Sequence, residues 1–98
     1  MARHVRDTHN EHLRAPEVAA EYLSEALEDG DAAVILMALR NVAEAQEGGM
    51  AALAARSQLG RESMYKTLSA TGNPKLASFT KIINGLGLKL KVERVTAT

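Results

Sequence analysis

The stretch from Leu53 to Pro74, "LAARSQLGRESMYKTLSATGNP", restricts the possible folds of this chain more than any other. Apolar residues recur at helical spacing before residues 58–60 (Gln-Leu-Gly) and again after them, where Met64 and Leu68 lie four residues apart. Four-residue spacing places two side chains on the same face of a helix. The pattern therefore predicts two short helices joined by a tight turn.

The second of these helices is unusual in the polar residues that it directs outward. The first helix of this pair is predicted to bury Met50, Leu53 and Ala54, and Ala54 is small enough to let another helix approach closely. On the second helix the residues that face outward or flank the outer face are Arg61, Glu62, Ser63, Tyr65, Lys66 and Ser69. Such a pair is typical of a helix-turn-helix motif, here at about residues 50–69, whose second helix fits the DNA major groove.

The rest of the chain also has mainly helical periodicity. Pro16 suits a first helical position, Gly30 can end that helix in the left-handed conformation, and Asp31 can cap the next. Asn73 and Pro74 are predicted as the cap and first residue of a fifth helix. The residues predicted to be buried on the first, second and fifth helices are Ala19, Tyr22, Leu23, Ala26, Leu27, Ile35, Leu39, Val42, Leu76, Phe79, Ile82, Ile83 and Leu86. The predicted fold is therefore all-α with five helices.

The two ends of the chain differ from this helical pattern. Residues 1–14 are polar without a period and are predicted to be a flexible tail, so that residues 15–98 form the domain. At the other end Leu88, Leu90 and Val92 alternate with polar residues, which predicts a short β-strand over residues 88–95. A lone strand needs a partner, and the simplest one is the same strand of a second subunit. A strand paired only with the tail segment 3–7, or a frayed end, is the alternative.

Composition excludes several classes of function. The 98 residues are enough for one domain, and the absence of cysteine excludes disulfides, thiolate catalysis and cysteine-based zinc sites. No apolar run is long enough for a membrane span, and the first residues lack the apolar centre of a signal peptide, so a cytoplasmic location is expected. His4, His9 and His12 are irregularly spaced, so neither a metal site nor a cofactor is expected.

Charge is distributed unevenly although the net charge is zero. Residues 1–49 contain four Arg against ten Asp and Glu, a net charge of −6, whereas residues 50–98 contain eight basic and two acidic residues, a net charge of +6. Such a division predicts two electrostatic faces and two kinds of partner. Two surfaces that attract one another across a dimer are the alternative.

Several blocks of the sequence together resemble a known family. The blocks are "YLSEALEDGDAAVILMALRNVAEAQ", "RESMYKTLS", "GNPKL" and "LGLKLKV", in an order that spans about residues 13–95. They resemble the addiction-module antidote proteins, small bacterial antitoxins of the Cro-like helix-turn-helix superfamily. The resemblance implies a DNA-binding homodimer of a type II toxin-antitoxin module that neutralises a RelE-like ribonuclease toxin and represses its own operon. A stand-alone Cro-like transcriptional regulator is the alternative.

The turn departs from that family's usual pattern. Residues 58–60 read Gln-Leu-Gly where the family usually has Gly-Leu-Ser. A side chain therefore occupies a position that often needs a positive φ, and a glycine occupies the position of a capping serine. Ala51 and Ala52 replace polar residues that often hold phosphate, so phosphate contacts must come from elsewhere.

Geometry assigns candidate DNA contacts on and around the second motif helix. These are Arg61, Ser63, Lys66, Tyr65, Glu62, Arg56, Asn73 and Lys75. Arg61 is placed to contact guanine or phosphate, Ser63 a base edge or phosphate, and Lys66 phosphate. Other roles stay open: an ion pair of Arg61 with Glu62, packing of the Tyr65 ring, helix capping by Asn73 and simple solvation of Arg56.

The acidic half has a candidate surface of its own. Glu17, Glu21, Glu25 and Glu28 follow one side of the first helix and could bind a basic toxin, although any amphipathic helix needs a charged side. An enzyme is not expected, because the histidines lie in the tail, far in sequence from the basic half. A protein-interaction module without DNA binding is the remaining class.

Overall fold

The computed structural model describes residues 11–69 and 71–95, and over these residues the fold is all-helical. A 3₁₀ helix, Glu11–Arg14, precedes five α-helices: α1 (Pro16–Asp29), α2 (Ala32–Ala45), α3 (Gly49–Arg56), α4 (Arg61–Thr67) and α5 (Leu76–Gly85). The five predicted α-helices are confirmed. None of the helices in the described part of the chain combines the length and apolar character needed to cross a bilayer.

The connection between α1 and α2 is set by two local signals. Gly30 adopts φ 82°, and its amide donates to the Ala26 carbonyl at 3.3 Å. A side chain at this φ would be strained, which is why glycine ends the helix here. The Asp31 carboxylate then accepts from the Ala33 amide at 2.9 Å and caps α2. Both roles agree with the sequence prediction.

The core lies between the helices and centres on α3, which packs against α2, α4 and α5. The largest fully buried side chains are Leu13, Leu39, Leu53, Met64, Leu68, Ile82 and Val42. The prediction of burial is wrong for Leu27, which is 39% exposed, and for Leu76, which is 75% exposed. Leu76 is the first residue of α5 and Leu27 lies at the edge of α1, so neither position is covered by a neighbouring helix.

The packed structure begins nearer to the N-terminus than the sequence predicted. Leu13 is 1% exposed, although it falls within the stretch predicted to be a flexible tail. Two hydrogen bonds hold this segment against the end of α2: Arg14 Nε donates to the Ala45 carbonyl at 2.6 Å, and Gln46 Nε2 donates to the Leu13 carbonyl at 3.1 Å. Residues 11–14 are therefore part of the packed structure, and the rest of the predicted tail lies outside the described residues.

The predicted C-terminal strand is not formed in the single chain. The Leu88 amide donates to the Ile83 carbonyl at 3.1 Å, but residues 89–95 make no backbone hydrogen bond within the described residues. A strand requires a second strand beside it, and the described chain offers none. The tail segment 3–7, which was the predicted internal partner, lies outside the described residues.

Candidate nucleic-acid interface

A four-residue turn sets the position of α4 relative to α3. The Ser57 amide donates to the Leu53 carbonyl at 2.8 Å, and the Leu59 amide donates to the Ala54 carbonyl at 3.0 Å, so the end of α3 is closed. Between them Gln58 has φ 60°, the left-handed conformation expected at this position. Because that conformation reverses the chain within a few residues, α4 begins directly against α3.

The start of α4 has no side-chain cap. Gly60 is the N-cap residue, with φ −67° and ψ 151°, and its carbonyl accepts from the Met64 amide at 2.9 Å. Met64 and Leu68 are both 0% exposed and anchor the inner face of α4, as predicted. The orientation of the helix is therefore fixed by two apolar side chains on one face.

The end of α4 is held by a residue from the core scaffold. Arg40 on α2 directs Nη1 to the Leu68 carbonyl at 2.6 Å, in a half-buried contact. Ser69 Oγ donates to the Lys66 carbonyl at 2.9 Å in the same turn. A guanidinium at a helix C-terminus satisfies an open carbonyl and interacts favourably with the helix dipole.

All five candidate residues on the outer side of α4 are exposed: Arg61, Glu62, Ser63, Tyr65 and Lys66. Tyr65 is 51% exposed, so its ring is only partly packed. No ion pair or hydrogen bond occupies the Arg61 side chain within the described residues, which argues against its pairing with Glu62. The basic groups on α4 are thus available to an external ligand.

A shallow groove brings Ser63 and Lys66 together with Asn73 and Lys75. Four residues that carry hydroxyl groups line the same groove: Thr67, Ser69, Thr71 and Ser78. Two lysine ammonium groups among hydroxyl-bearing residues are the chemistry that binds phosphate. Four of the eight predicted contacts therefore meet on one surface.

The start of α5 differs from the sequence prediction. Its N-cap residue is Lys75, with ψ 156° and no side-chain cap, so Asn73 is not the cap and Pro74 is not the first helical residue. Gly72 explains the difference: a Cβ there would lie 2.1 Å from the Thr67 carbonyl oxygen, and the Gly72 amide donates to the Ser69 carbonyl at 2.9 Å. Because residue 72 is held against the end of α4, the next three residues are used to reach α5.

Arg56 is a predicted DNA contact whose side chain already forms a hydrogen bond within the protein. Its Nε donates to the Gly85 carbonyl at 3.1 Å, at the C-terminal end of α5. The groove between α4 and α5 does not include it. Arg56 therefore links α3 to α5, although its side chain is exposed.

The acidic candidates form a separate surface on α1. Glu17, Glu21, Glu25 and Glu28 are all exposed. Beside Glu25, a groove between α1 and α2 is lined by Tyr22, Asp29, Val34 and Met37, and Met37 is 46% exposed. This second surface combines carboxylates with an accessible apolar side chain.

Comparison with known proteins gives the family of the chain. Residues 6–94 match the sequence model of a family described as "Probable addiction module antidote protein". The chain belongs to this family. A Haemophilus influenzae protein described as uncharacterized is 37% identical over 84 residues, which cover 86% of this chain and 84% of that protein. No solved structure matches.

Membership of the antidote family bears on the partners and the chemistry of the chain. The family description implies a cognate toxin as partner and suggests a regulatory protein that is not an enzyme. Among the described residues, no group of three or more His, Asp or Glu side chains is placed to hold a metal ion. Two of the three histidines, His4 and His9, lie outside the described residues.

Sequence reasoning missed residues that line the basic groove and one that supports α4. The hydroxyl-rich groove wall at Thr71 and Ser78 had a visible signal, because the segment "TGNPKLAS" is short, polar and adjacent to two lysines. Arg40 had none, since it is one polar residue on an amphipathic helix 28 positions before the carbonyl that it contacts. Only the tertiary structure places them together.

Proposed function

We propose that this antidote is a DNA-binding antitoxin of a bacterial type II toxin-antitoxin module, with a Cro-like helix-turn-helix formed by α3 and α4. It acts in the cytoplasm, neutralises a RelE-like ribonuclease toxin and represses its own operon as a homodimer. The observation that carries the DNA-binding proposal is the two-sided character of α4: Met64 and Leu68 are 0% exposed, whereas its outer polar residues are exposed.

Base recognition is assigned to the beginning of α4. In a helix-turn-helix the N-terminal residues of the second helix contact base edges in the major groove. Arg61 is the first residue of α4, is exposed, and has a guanidinium that can form a bidentate pair with guanine. Ser63 adds a hydroxyl to the same outer side, while Glu62 and Tyr65 complete it.

Phosphate contacts are assigned to the groove between α4 and α5. Lys66 and Lys75 supply charge there and Asn73 supplies an amide. The amides of Leu76, Ala77 and Ser78 at the start of α5 have no acceptor within the described residues. Open amides at a helix N-terminus favour a phosphate oxygen. These groups replace the polar residues that the chain lacks at Ala51 and Ala52.

Dimerisation through the C-terminal residues would give the protein the symmetry of a palindromic operator. Residues 89–95 have no backbone hydrogen bonds within the described chain, and they include the exposed side chains of Leu90 and Val92. Pairing with a second copy would give these backbone groups hydrogen-bond partners and would cover the apolar side chains. Leu88 would extend the same apolar face. The two α4 helices would then meet half-sites about 34–36 Å apart.

The toxin is assigned to the acidic side of α1. RNA-binding ribonucleases carry basic surfaces, so Glu17, Glu21, Glu25 and Glu28 offer a surface that competes with RNA. The groove beside Glu25 adds Met37 as an apolar contact, 46% exposed. Methionine adapts its shape to a partner more readily than branched side chains do.

The DNA-binding proposal is tested by fluorescence anisotropy with a duplex from upstream of the gene and a scrambled duplex of equal length. We expect the protein to prefer the upstream duplex. Arg61→Ala should weaken binding to the upstream duplex by about 10-fold to 100-fold and reduce the preference, because a base contact is lost. Lys66→Ala should weaken binding to both duplexes alike, because a phosphate contact carries no sequence information.

Lys81→Ala is the matched control, since Lys81 is exposed on α5 but does not line the groove. It should leave both affinities nearly unchanged. Equal weak binding to both duplexes by the unaltered protein and by all three variants would refute the DNA-binding proposal. A protein-interaction module would then be the better description.

The antitoxin proposal is tested by co-expression with the product of the reading frame next to this gene. The antidote should restore growth that the neighbouring protein alone arrests. Glu25→Lys combined with Met37→Glu should weaken rescue while leaving operator binding intact, because both residues lie on the α1–α2 groove. Loss of operator binding in the same variant would indicate misfolding, and full rescue would contradict the docking surface.

A further inference from the structure

An apolar groove runs along the side of α1 opposite to the Met37 groove. It is lined by Leu23 and Leu27 of α1, by Ile83 of α5, and by Leu88 and Leu90 beyond it. Leu27 is 39% exposed and Leu90 is 42% exposed, so the groove presents apolar side chains to solvent. Apolar surface with a polar rim is typical of an interaction site.

Acidic residues border this groove along one line of α1. Glu17, Glu21, Ser24 and Glu28 follow one another at spacings of four, three and four residues, which places them on one ridge. Ser24 lines the groove itself, so the glutamates on either side of it adjoin the groove. Within the described residues these glutamates form no ion pair.

The C-terminal arm, residues 88–95, has the complementary character. Val92 is 97% exposed and Val95 is 87% exposed, and Lys91 and Arg94 directly precede them in the chain. The sole ion pair of the arm in the described structure joins Lys91 Nζ to Glu93 Oε2 at 3.5 Å, with both side chains about three-quarters exposed. A pair that exposed contributes little, so the arm remains free to bind elsewhere.

The arm does not enter the groove of its own chain beyond its first residues. Leu88, Lys89 and Leu90 already form one wall of that groove. Val92 follows two residues later and is almost fully exposed, so the chain leaves the groove after Leu90. The apolar part of the arm and the open part of the groove therefore remain uncovered in one chain.

We propose that two copies exchange their arms, so that the arm of each copy lies in the α1 groove of the other. Val92, which lies on the same face of an extended arm as Leu88 and Leu90, then covers the apolar groove of the partner, and the long side chains of Lys91 and Arg94 reach its acidic ridge. The inference rests on the homodimer of the proposed function and specifies its contacts. The arm then takes Glu21 and Glu28 out of the surface assigned to the toxin, and it leaves Glu25 and the groove at Met37 open on each copy for the toxin.

The test exchanges charges between the arm and the ridge. One variant carries Lys91→Glu and Arg94→Glu, and the other carries Glu21→Lys and Glu28→Lys. In either homodimer like charges would face each other at both contacts, so self-association should weaken by at least about tenfold. In an equimolar mixture the exchanged arms would meet opposite charges at both contacts, and a heterodimer should form nearly as tightly as the unaltered dimer.

Sedimentation velocity over a range of concentrations measures these associations, with circular dichroism as the check on folding. The single-charge pair Arg94→Glu and Glu28→Lys is studied in parallel, so the result does not depend on a double variant folding. A Glu62→Lys variant, altered at an exposed residue of α4, changes the net charge by as much as Glu28→Lys and should dimerise normally.

Three results would overturn the exchange of arms. The first is an unaltered protein that is monomeric at high micromolar concentration. The second is a ridge variant that dimerises as well as the unaltered protein, and the third is a mixture of the two variants that fails to associate. None of them bears on α4, whose role is tested separately by Arg61→Ala. Failure of the arm proposal and failure of the DNA-binding proposal are therefore distinguishable.

Discussion

At the scale of single residues, the turn between α3 and α4 contains the clearest local conflict. Gln58 adopts φ 60°, although a residue with a side chain is less stable there than glycine. The resemblance to the antidote family implied a positive φ at this position, because it implies a glycine there. The conflict is tolerated because buried residues on both sides, Leu53 and Met64, fix the two helices.

Replacing that residue by glycine should stabilise the protein. Gln58→Gly removes the strain of the left-handed conformation, and we expect the free energy of unfolding to rise by about 0.5–1 kcal/mol after the greater entropy of the unfolded chain is included. Urea unfolding measures the change. Gln58→Val should instead destabilise, because a β-branched residue disfavours positive φ; stabilisation by valine would contradict the account.

A second residue-scale constraint lies where α3 meets the end of α5. A Cβ on Gly85 would lie 2.2 Å from Ser57 Oγ and 3.2 Å from Leu53 Cδ1. Ser57 is 3% exposed and its hydroxyl has no hydrogen-bond partner in the described structure. The small residue at position 85 therefore permits the close approach of the two helices.

Gly85→Ala should lower the free energy of unfolding by about 1–2 kcal/mol, because overpacking outweighs the better helix propensity of alanine. The double variant with Ser57→Ala should lose less, since the closest clashing atom is then absent. The two losses are compared by urea unfolding. An equal loss with and without the hydroxyl would show that this contact is not the cause.

At the scale of elements, apolar periodicity predicts what depends on local sequence and misses what depends on tertiary packing. The five helices, the inner face of α4 at Met64 and Leu68, and the caps at Gly30 and Asp31 follow from spacing and residue type. The later start of α5 does not, because it depends on Gly72 being held against α4. The same division holds for the candidate site. Its α4 residues could be predicted from the outer face of the helix, whereas the groove could be found only from the tertiary structure.

The hydrogen bond from Arg40 to the Leu68 carbonyl gives α4 a support that can be tested. Arg40→Met keeps much of the side-chain volume but removes the charged donor, so we expect a loss of about 1–2 kcal/mol in the free energy of unfolding. Arg56→Met is the matched control, since Arg56 also donates to a carbonyl, that of Gly85, but is exposed. Urea unfolding should show the smaller loss for Arg56→Met, and equal losses would contradict the support of α4.

At the scale of the whole molecule, the unequal charge of the two halves corresponds to two surfaces. The acidic half contributes the ridge and grooves of α1, and the basic half contributes α4, the groove beside it and the C-terminal arm. A protein that binds both nucleic acid and a basic protein partner needs such a division. Sequence composition and helical periodicity predicted the division and its two helices, but the tertiary structure was needed to reveal the grooves beside them.

The measurement that tests the central claim most directly is the salt dependence of operator binding. Affinity for the upstream duplex is measured at several salt concentrations for the unaltered protein and for Lys66→Ala, Lys75→Ala and Lys81→Ala. The slope of log affinity against log salt falls by about 0.9 for each phosphate contact that is lost. The account predicts that loss for Lys66→Ala and Lys75→Ala, whose side chains line the groove, and an unchanged slope for Lys81→Ala. The same slope for all four proteins would contradict the claim that α4 and the start of α5 form the DNA-binding surface.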